Sequence, residues 1–417
     1  MGGGSAGGSA EGAAGGNPAG GSAGGIGGGR AGGSAAGGSG GGSGGGGSGG
    51  VDAGSAIPDG GYPSADRWAA MSQVGHPGAR VEQVMVWSGA EVLLWGGTAQ
   101  SGFAWTPAND TWRPLATVGQ PEGYRRTDGV WTGTELIIWG GGSSAFGNAA
   151  YQQGGARYDP GTNQWRAMNL AGAPSPRWLH RLAWTGSEVM VFGGYGLMPD
   201  GGSENLGDGA LYNPVSDSWR PLPASGAPAP RHRPEMVRAG DEVIIWGGSA
   251  AQCLNDGARF NVTTNTWAPM TTTGAPTICG FVWTPAATAW TGSDLLVFGG
   301  YTGDPQVGGH RYTPATDAWS TLPRGDPCDR NEASAVWTGS ELITWGGAVY
   351  AGCPVPYGMR RGYRYRPATN TWAPMSLTNA PSQYERVSAV WTGREVVFYG
   401  ARAVGGAGID FSARYFP

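Results

Sequence analysis

The chain offers few residues suited to catalysis. Its four histidines, His76, His180, His232 and His310, are widely separated, with no His-x-His or His-Glu-x-x-His spacing to bring two imidazoles to one ion. No Gly-x-Ser-x-Gly elbow and no phosphate-binding glycine loop is present. No catalytic residues, metal or cofactor are therefore expected. Acids recur instead: Glu91, Glu135, Glu188, Glu242, Asp294, Glu341 and Glu395 each stand two residues after a turn glycine, which follows Thr or Ser in every copy but Ala239-Gly240. Such a series suits either a cation site or ion pairs with Arg157, Arg259, Arg311, Arg364 and Arg414. Ion pairing is the preferred reading, and Ala104 and Leu211, where two further arginines would stand, leave Glu91 and Glu188 without that partner.

Binding chemistry is better represented. Trp178, Trp283, Arg181, Arg233 and Arg386 combine flat apolar rings with guanidinium groups. Rings stack on apolar faces, and guanidinium grips carboxylates in two places, so the set suits an anionic sugar or a peptide carboxylate.

The elements that must position these residues follow from a repeat. Beyond residue 65 one template returns seven times at intervals of about 44 to 54 residues, the length of a propeller blade. Its clearest copies are Ala335 to Gly347 (AVWTGSELITWGG) and Thr369 to Met375 (TNTWAPM). Each copy reads as four strands, because alternation has period two and the intervening Gly, Pro, Asn and Asp are turn formers. The first strand ends in a tryptophan such as Trp131, with Arg238 as the exception; the second runs into Gly-Gly; the third carries an aromatic before Xaa-Pro; the fourth carries a tryptophan such as Trp165. The last copy ends at its third strand, Ala413 to Pro417, whereas Asp66 to Met71 is a fourth strand with nothing before it. The N-terminal strand is expected to complete the last blade. Seventeen of the twenty tryptophans fall on template positions or just before the diglycine, and Trp105 replaces a third-strand tyrosine. Trp178 and Trp283 are the two left over.

The joint spacing of diglycine, third-strand aromatic and fourth-strand tryptophan over residues 65 to 417 resembles the Kelch family, in its bacterial, galactose-oxidase-like form. The resemblance implies an all-β, seven-bladed propeller of four-stranded blades. It also implies a choice among interaction scaffolds, carbohydrate oxidases and sugar epimerases, since fold does not fix function. A copper oxidase of that kind would need two histidines and two tyrosines on one ion, a set with no counterpart here. A sugar epimerase or mutarotase would need only an acid and a base, for which His232 with Glu332 or Glu385 is the candidate pair.

In an antiparallel blade, the segment leading into the first strand and the loop between the second and third strands emerge on one face, the upper face. Both leftover tryptophans fall there, with Arg181, Arg233 and Arg386. The reading is a non-catalytic module that binds a protein or glycan at this face, with the carbohydrate-active enzyme as the alternative. The four cysteines, Cys253, Cys279, Cys328 and Cys353, also fall in upper-face connections, and the strand order favours pairing Cys253 with Cys279 and Cys328 with Cys353. Such bridges point to an extracellular or cell-envelope setting, against which stands the lack of a signal sequence in the numbered chain; the alternative setting is cytoplasmic.

Composition excludes other classes. The formal net charge of −4 and the absence of a basic stripe argue against nucleic acid, and no apolar run reaches the roughly 18 residues of a membrane span. Residues 1–60 are dominated by Gly, Ser and Ala and cannot offset their ordering entropy, so a disordered tail is expected before the propeller, from which a monomer could be tethered.

Overall fold

The computed structural model describes residues 66–123, 125–142, 151–197, 202–278, 287–299, 309–325, 330–331, 333–349, 362–381, 387–402 and 408–417. Residues 56–417 form one compact unit; the expected disordered tail lies outside the described residues. Every regular element among those described is a strand.

Among the described residues there are seven sheets of four antiparallel strands, with first strands Gln83–Trp87, Asp128–Trp131, Arg181–Trp184, Glu235–Ala239, Ala287–Trp290, Ser334–Trp337 and Ser388–Trp391. Second strands such as Leu136–Trp139 are continuous apolar runs because they lie inside a sheet and are covered on both faces; Leu136, Ile137, Ile138 and Trp139 are all fully buried. The core is correspondingly divided into clusters that each join neighbouring sheets, as where Leu93 and Trp95 of the first meet Leu136 and Tyr158 of the second. First strands touch in cyclic order, the last (Ser388–Trp391) meeting the first (Gln83–Trp87).

The turn chemistry explains the acid series. In the Thr-Gly-x-Glu turn of the second sheet, Thr132 Oγ1 accepts from the Glu135 amide at 3.0 Å and donates to its carbonyl at 3.1 Å. The Glu135 carboxylate is then presented to Arg157 at 2.6 Å and Arg166 at 2.8 Å. Glu395 takes Arg414 at 2.5 Å, Glu242 takes Arg259 at 3.4 Å, and Glu341 takes Arg364 and Arg366.

Two expectations are corrected here. Glu91 and Glu188 are paired after all, by Arg113 at 2.5 Å and Arg220 at 2.6 Å. These arginines lie on fourth strands directly opposite Ala104 and Leu211, so the guanidinium has moved one strand over while remaining on the same face. Arg311 differs in another way: it donates to Tyr365 Oη of the next sheet at 2.7 Å, while Asp294, a methylene shorter than glutamate, accepts from Thr313 Oγ1 at 2.5 Å.

A second device, not anticipated from the sequence, joins consecutive sheets. The turn between third and fourth strands holds an Asp or Asn with positive φ: Asp110, Asn163, Asp217, Asn265, Asp317 and Asn370. These types tolerate the left-handed region best after glycine. Its side chain accepts from the third-strand tyrosine, as in Tyr158 to Asn163 at 2.7 Å, and from an amide of the preceding sheet's exit, as in Ala116 to Asn163 at 3.0 Å. The fourth-strand tryptophan donates to that same exit, Trp165 Nε1 reaching the Ala116 carbonyl at 2.8 Å. Asp66, with φ of 71°, repeats the arrangement where the N-terminal segment meets the last sheet. Arg67–Ala69 pairs antiparallel with Gly408–Phe416, Trp68 facing Tyr415.

In the seventh sheet Gly400-Ala401 replaces diglycine. The second and third strands run on past it through a register shift, pairing Ala401 with Ile409 and Arg402 with Gly408. In the first, second, third, fourth and sixth sheets both paired glycines adopt positive φ at the end of the second strand, as Gly140 and Gly141 do at 69° and 90°. At Gly140 no side chain would fit, since a Cβ would stand 2.6 Å from His180 Cε1.

Candidate functional site at the upper face

Past the diglycine the chain forms a second, smaller tier of pairing. In the second sheet Gly142 bridges Arg125 and Tyr151; in the fourth, Ser249 bridges His232 and Cys253. The third sheet has the fullest version, a three-stranded ladder of Arg177–Trp178, Tyr195–Leu197 and Ser203–Asn205. This tier fixes the lead-in residues of these sheets.

Counted back from the first-strand tryptophan, or from Arg238 in the fourth sheet, these positions divide by role. Seven residues before it stand Arg80, Arg177 and Arg231, whose guanidinium groups donate to the first diglycine carbonyl, Gly96, Gly193 and Gly247, at 3.2, 3.1 and 3.1 Å. Arg177 and Arg231 are fully buried and also hold Asp208 at 2.9 Å and Asp256 at 3.0 Å. They brace the fold and are not presented to a ligand. Trp283 belongs to this same repeat position in the fifth sheet.

Five residues before the tryptophan stand Glu82, Arg126, Leu179 and Arg233, all with positive φ between 52° and 63°. The Leu179 amide donates to the Arg126 carbonyl at 3.2 Å and the Arg233 amide to the Leu179 carbonyl at 2.7 Å, linking three sheets through their backbone. All four line a central cavity of about 440 Å³ between the first strands. Arg386 is the seventh sheet's residue at this position.

Deeper in the cavity lie Gln83, Asp128, His180, Arg181, Glu235, Thr288, Ser334 and Ser388. Asp128 accepts from the Leu182 and Gly129 amides at 2.9 Å each and lies 3.8 Å from Arg181. Burial raises its pKa, with Arg181 opposing. Arg181 Nε donates to the Pro234 carbonyl at 3.1 Å, Thr288 Oγ1 to Glu235 at 2.9 Å, and Gln83 Nε2 to Ser388 Oγ at 3.0 Å.

The structure brings Arg181 and Arg233 together in this cavity's lining. Trp178 stands beside it: the Arg126 guanidinium lies 4.3 Å from its ring centroid and Tyr151 meets it edge-on at 5.1 Å. Trp283 and Arg386 lie outside the described residues, as do Glu332, Glu385, Cys279, Cys328 and Cys353. Cys253 is disulfide-bonded, and its pairing lies outside them too. The sequence reading passed over Asp128, Glu235, Gln83, Thr288, Ser334 and Ser388. Counting from the first-strand tryptophan marks this level of the wall, but single residues of such different types share no motif.

His180, 2% exposed, donates from Nε2 to the Trp139 carbonyl at 2.9 Å; burial and then Arg177 lower its pKa to about 3. His232 meets Asn205 Oδ1 at 2.6 Å through Nδ1, and burial and then Arg233 lower its pKa to about 4. Both imidazoles are neutral at physiological pH. Among the described residues no group of three or more His, Cys, Asp or Glu side chains is placed to hold a metal, and no helix is long and apolar enough to cross a membrane.

Residues 75–280 match the family described as the KLHDC2/KLHL20/DRC7 Kelch-repeats domain. The matched span covers the first through fourth sheets. No curated protein matches the chain.

Proposed function

Because this chain belongs to the Kelch-repeat family, whose domains generally serve in protein interaction, we propose that it is a non-catalytic binding module whose upper face takes a protein or glycan ligand. The observation that carries the reading is the convergence of Arg126, Arg181 and Arg233 on one cavity, with Trp178 alongside. Guanidinium groups held by packed backbone and an aromatic platform present a preorganised surface to a ligand carrying carboxylates. A protein ligand is favoured over a glycan by the family's general role.

His232 supports binding better than acid-base chemistry, because a neutral imidazole hydrogen-bonded to Asn205 is positioned rather than poised to exchange protons at pH 7. The test is a peptide-display screen and a glycan array with the full chain, followed by an anomer or epimer exchange assay on any sugar bound. Saturable binding that is lost in Trp178→Ala and Arg126→Ala, with no turnover, is the expected outcome. Sugar turnover would replace this reading by the enzyme.

A further inference from the structure

The internal repeat sets what each position ordinarily holds, and one interface departs from it at four positions. The residue before the fourth-strand tryptophan is Thr, Gln, Ser or Ala in the other copies and Arg67 in the sheet that joins the termini. Its cross-strand partner is Thr, Asp, Asn or Arg elsewhere and Phe416 here. The residue before each turn acid is Ala, Thr, Ser or Asp elsewhere and Arg394 here. The first sheet, which packs on this face of the seventh, contributes Trp105 where the other copies carry Tyr or, once, Phe260. These positions lie at the turn end of the sheets, away from the upper face.

Together the departures leave guanidinium donors without acceptors. Between other sheets the arginine of one meets a phenol of the next, Arg113 donating to Tyr158 Oη at 3.0 Å and Arg311 to Tyr365 Oη at 2.7 Å. Trp105 offers no such oxygen: its Nε1 donates to Asp110 at 2.9 Å, and the Arg414 guanidinium lies 5.1 Å from its ring centroid. Arg414 spends Nε and Nη2 on Glu395, at 2.5 and 2.9 Å, and among the described residues its Nη1 has no acceptor. Arg67 has none for any of its donors; its guanidinium lies 3.9 Å from the centroid of Phe416, and that of Arg414 lies 5.4 Å from the same ring. Burial and then the like charge of Arg414 lower the Arg67 pKa; Glu395 opposes them and Arg394 adds to them.

We propose that this interface between the seventh and first sheets binds a carboxylate, carried by an acidic side chain of a protein partner and gripped by Arg67 with Arg414 Nη1. Arg67 and Arg414 face one carboxylate, Glu395, so the trio carries a single surplus positive charge, which a carboxylate neutralises. The stacked ring of Phe416 holds the Arg67 fork in place, and a fixed planar fork matches a carboxylate in two hydrogen bonds. Arg67 stands on the outermost strand of its sheet, an open position that a side chain from another protein can reach without entering a cavity. The site is separate from the upper-face cavity and independent of the reading given to it.

The probes are peptides blocked at both ends, with a single glutamate, glutamine or phosphoserine in an otherwise uncharged sequence, together with sodium acetate. Binding to the full chain is read by calorimetry and ligand-observed NMR. The glutamate peptide should bind saturably and the glutamine peptide should not. Arg67→Thr restores a residue type of the other copies and should weaken the glutamate peptide about tenfold or more. Trp105→Tyr returns a phenol that accepts from Arg414 and should weaken it as well. Should one variant fail to fold, the other carries the test. Arg126→Ala should leave this affinity unchanged. Equal affinity for the glutamate and glutamine peptides, no effect of the folded variants, or no saturable binding of any probe overturns the site. Loss in Arg126→Ala but not in Arg67→Thr also overturns it, and would return the peptide to the upper face with the binding module standing. Binding of phosphoserine without glutamate overturns the carboxylate assignment. Acetate binding as tightly as the glutamate peptide overturns the protein source.

Discussion

Tyr415 Oη donates to Asp66 Oδ1 at 2.7 Å across 349 residues of sequence, and the same carboxylate oxygen accepts from the Ser376 amide at 2.7 Å. Burial and then this hydrogen bond raise the tyrosine's pKa far above its ordinary value, so the phenol stays protonated at any working pH. The contact reproduces Tyr212 to Asp217 and Tyr312 to Asp317, at 2.6 and 2.7 Å, where the partners lie in one turn. Deleting Asp66 to Met71 is therefore expected to lower the melting temperature markedly, while deleting residues 1 to 60 leaves it unchanged. Asp66→Ala should cost about 1 to 3 kcal/mol by orphaning the buried hydroxyl and the Ser376 amide. Calorimetry on the three variants checks this, and an unaffected six-residue deletion would refute the seam's role.

Buried and rim arginines should separate by phenotype. Arg177 is fully buried and satisfies the Gly193 and Asp208 carbonyls as well as the Asp208 carboxylate. Arg177→Met should destabilise the fold by about 3 kcal/mol or more, because those acceptors lose their partner. Arg126→Ala should leave chemical denaturation almost unchanged and act on ligand affinity. Equal stability losses in the two variants would dissolve the division between the two repeat positions.

Acid sensitivity should begin above the carboxylate range. His180 has a folded pKa of about 3 against an ordinary 6.5, so below pH 6.5 the unfolded chain takes up a proton that the folded protein refuses. Its contribution is complete above pH 6.5 and is lost progressively as pH falls toward 3. Between pH 6.5 and 5 the loss from His180 is about 2 kcal/mol. Urea denaturation at the two pH values, compared with His180→Gln, is the measurement; a variant retaining the full wild-type slope would show that the imidazole is not its source.

Cys253 is expected to pair with Cys279. Leu254 and Ile278 bridge antiparallel, the Ile278 amide donating to the Leu254 carbonyl at 3.1 Å, and that register carries the preceding residue of one toward the following residue of the other. A bond there closes a loop of about 25 residues and contributes on the order of 3 kcal/mol. Cys328 is likewise expected to pair with Cys353. Non-reducing peptide mapping of protein from its native host would show both, placing it in an oxidising compartment. A Cys253 to Cys353 bridge would contradict the strand-order argument.

The repeating strands were legible because turn glycines, fourth-strand tryptophans and continuous second-strand runs answer to local rules. The sheet-to-sheet device was harder to see. Asp110, Asn163 and Asp217 look like ordinary turn residues, and only the fold shows each accepting from the sheet before it. Likewise Ala104 and Leu211 looked like missing partners until the register placed Arg113 and Arg220 opposite them. Of the site, Arg181 and Trp178 stood out by type, whereas Gln83 and Glu235 gain meaning only from the cavity they share.

The tryptophan donations from one sheet to the exit of the one before, including Trp68 to the Ser376 carbonyl at 2.9 Å, bear on how the protein comes apart. In an open array the outermost unit has one neighbour and frays first. Here the sheet formed from both chain termini is held on either side like the rest, so amide exchange should slow to similar rates in second strands all round, and partial opening should start in the upper-face connections instead of at an end.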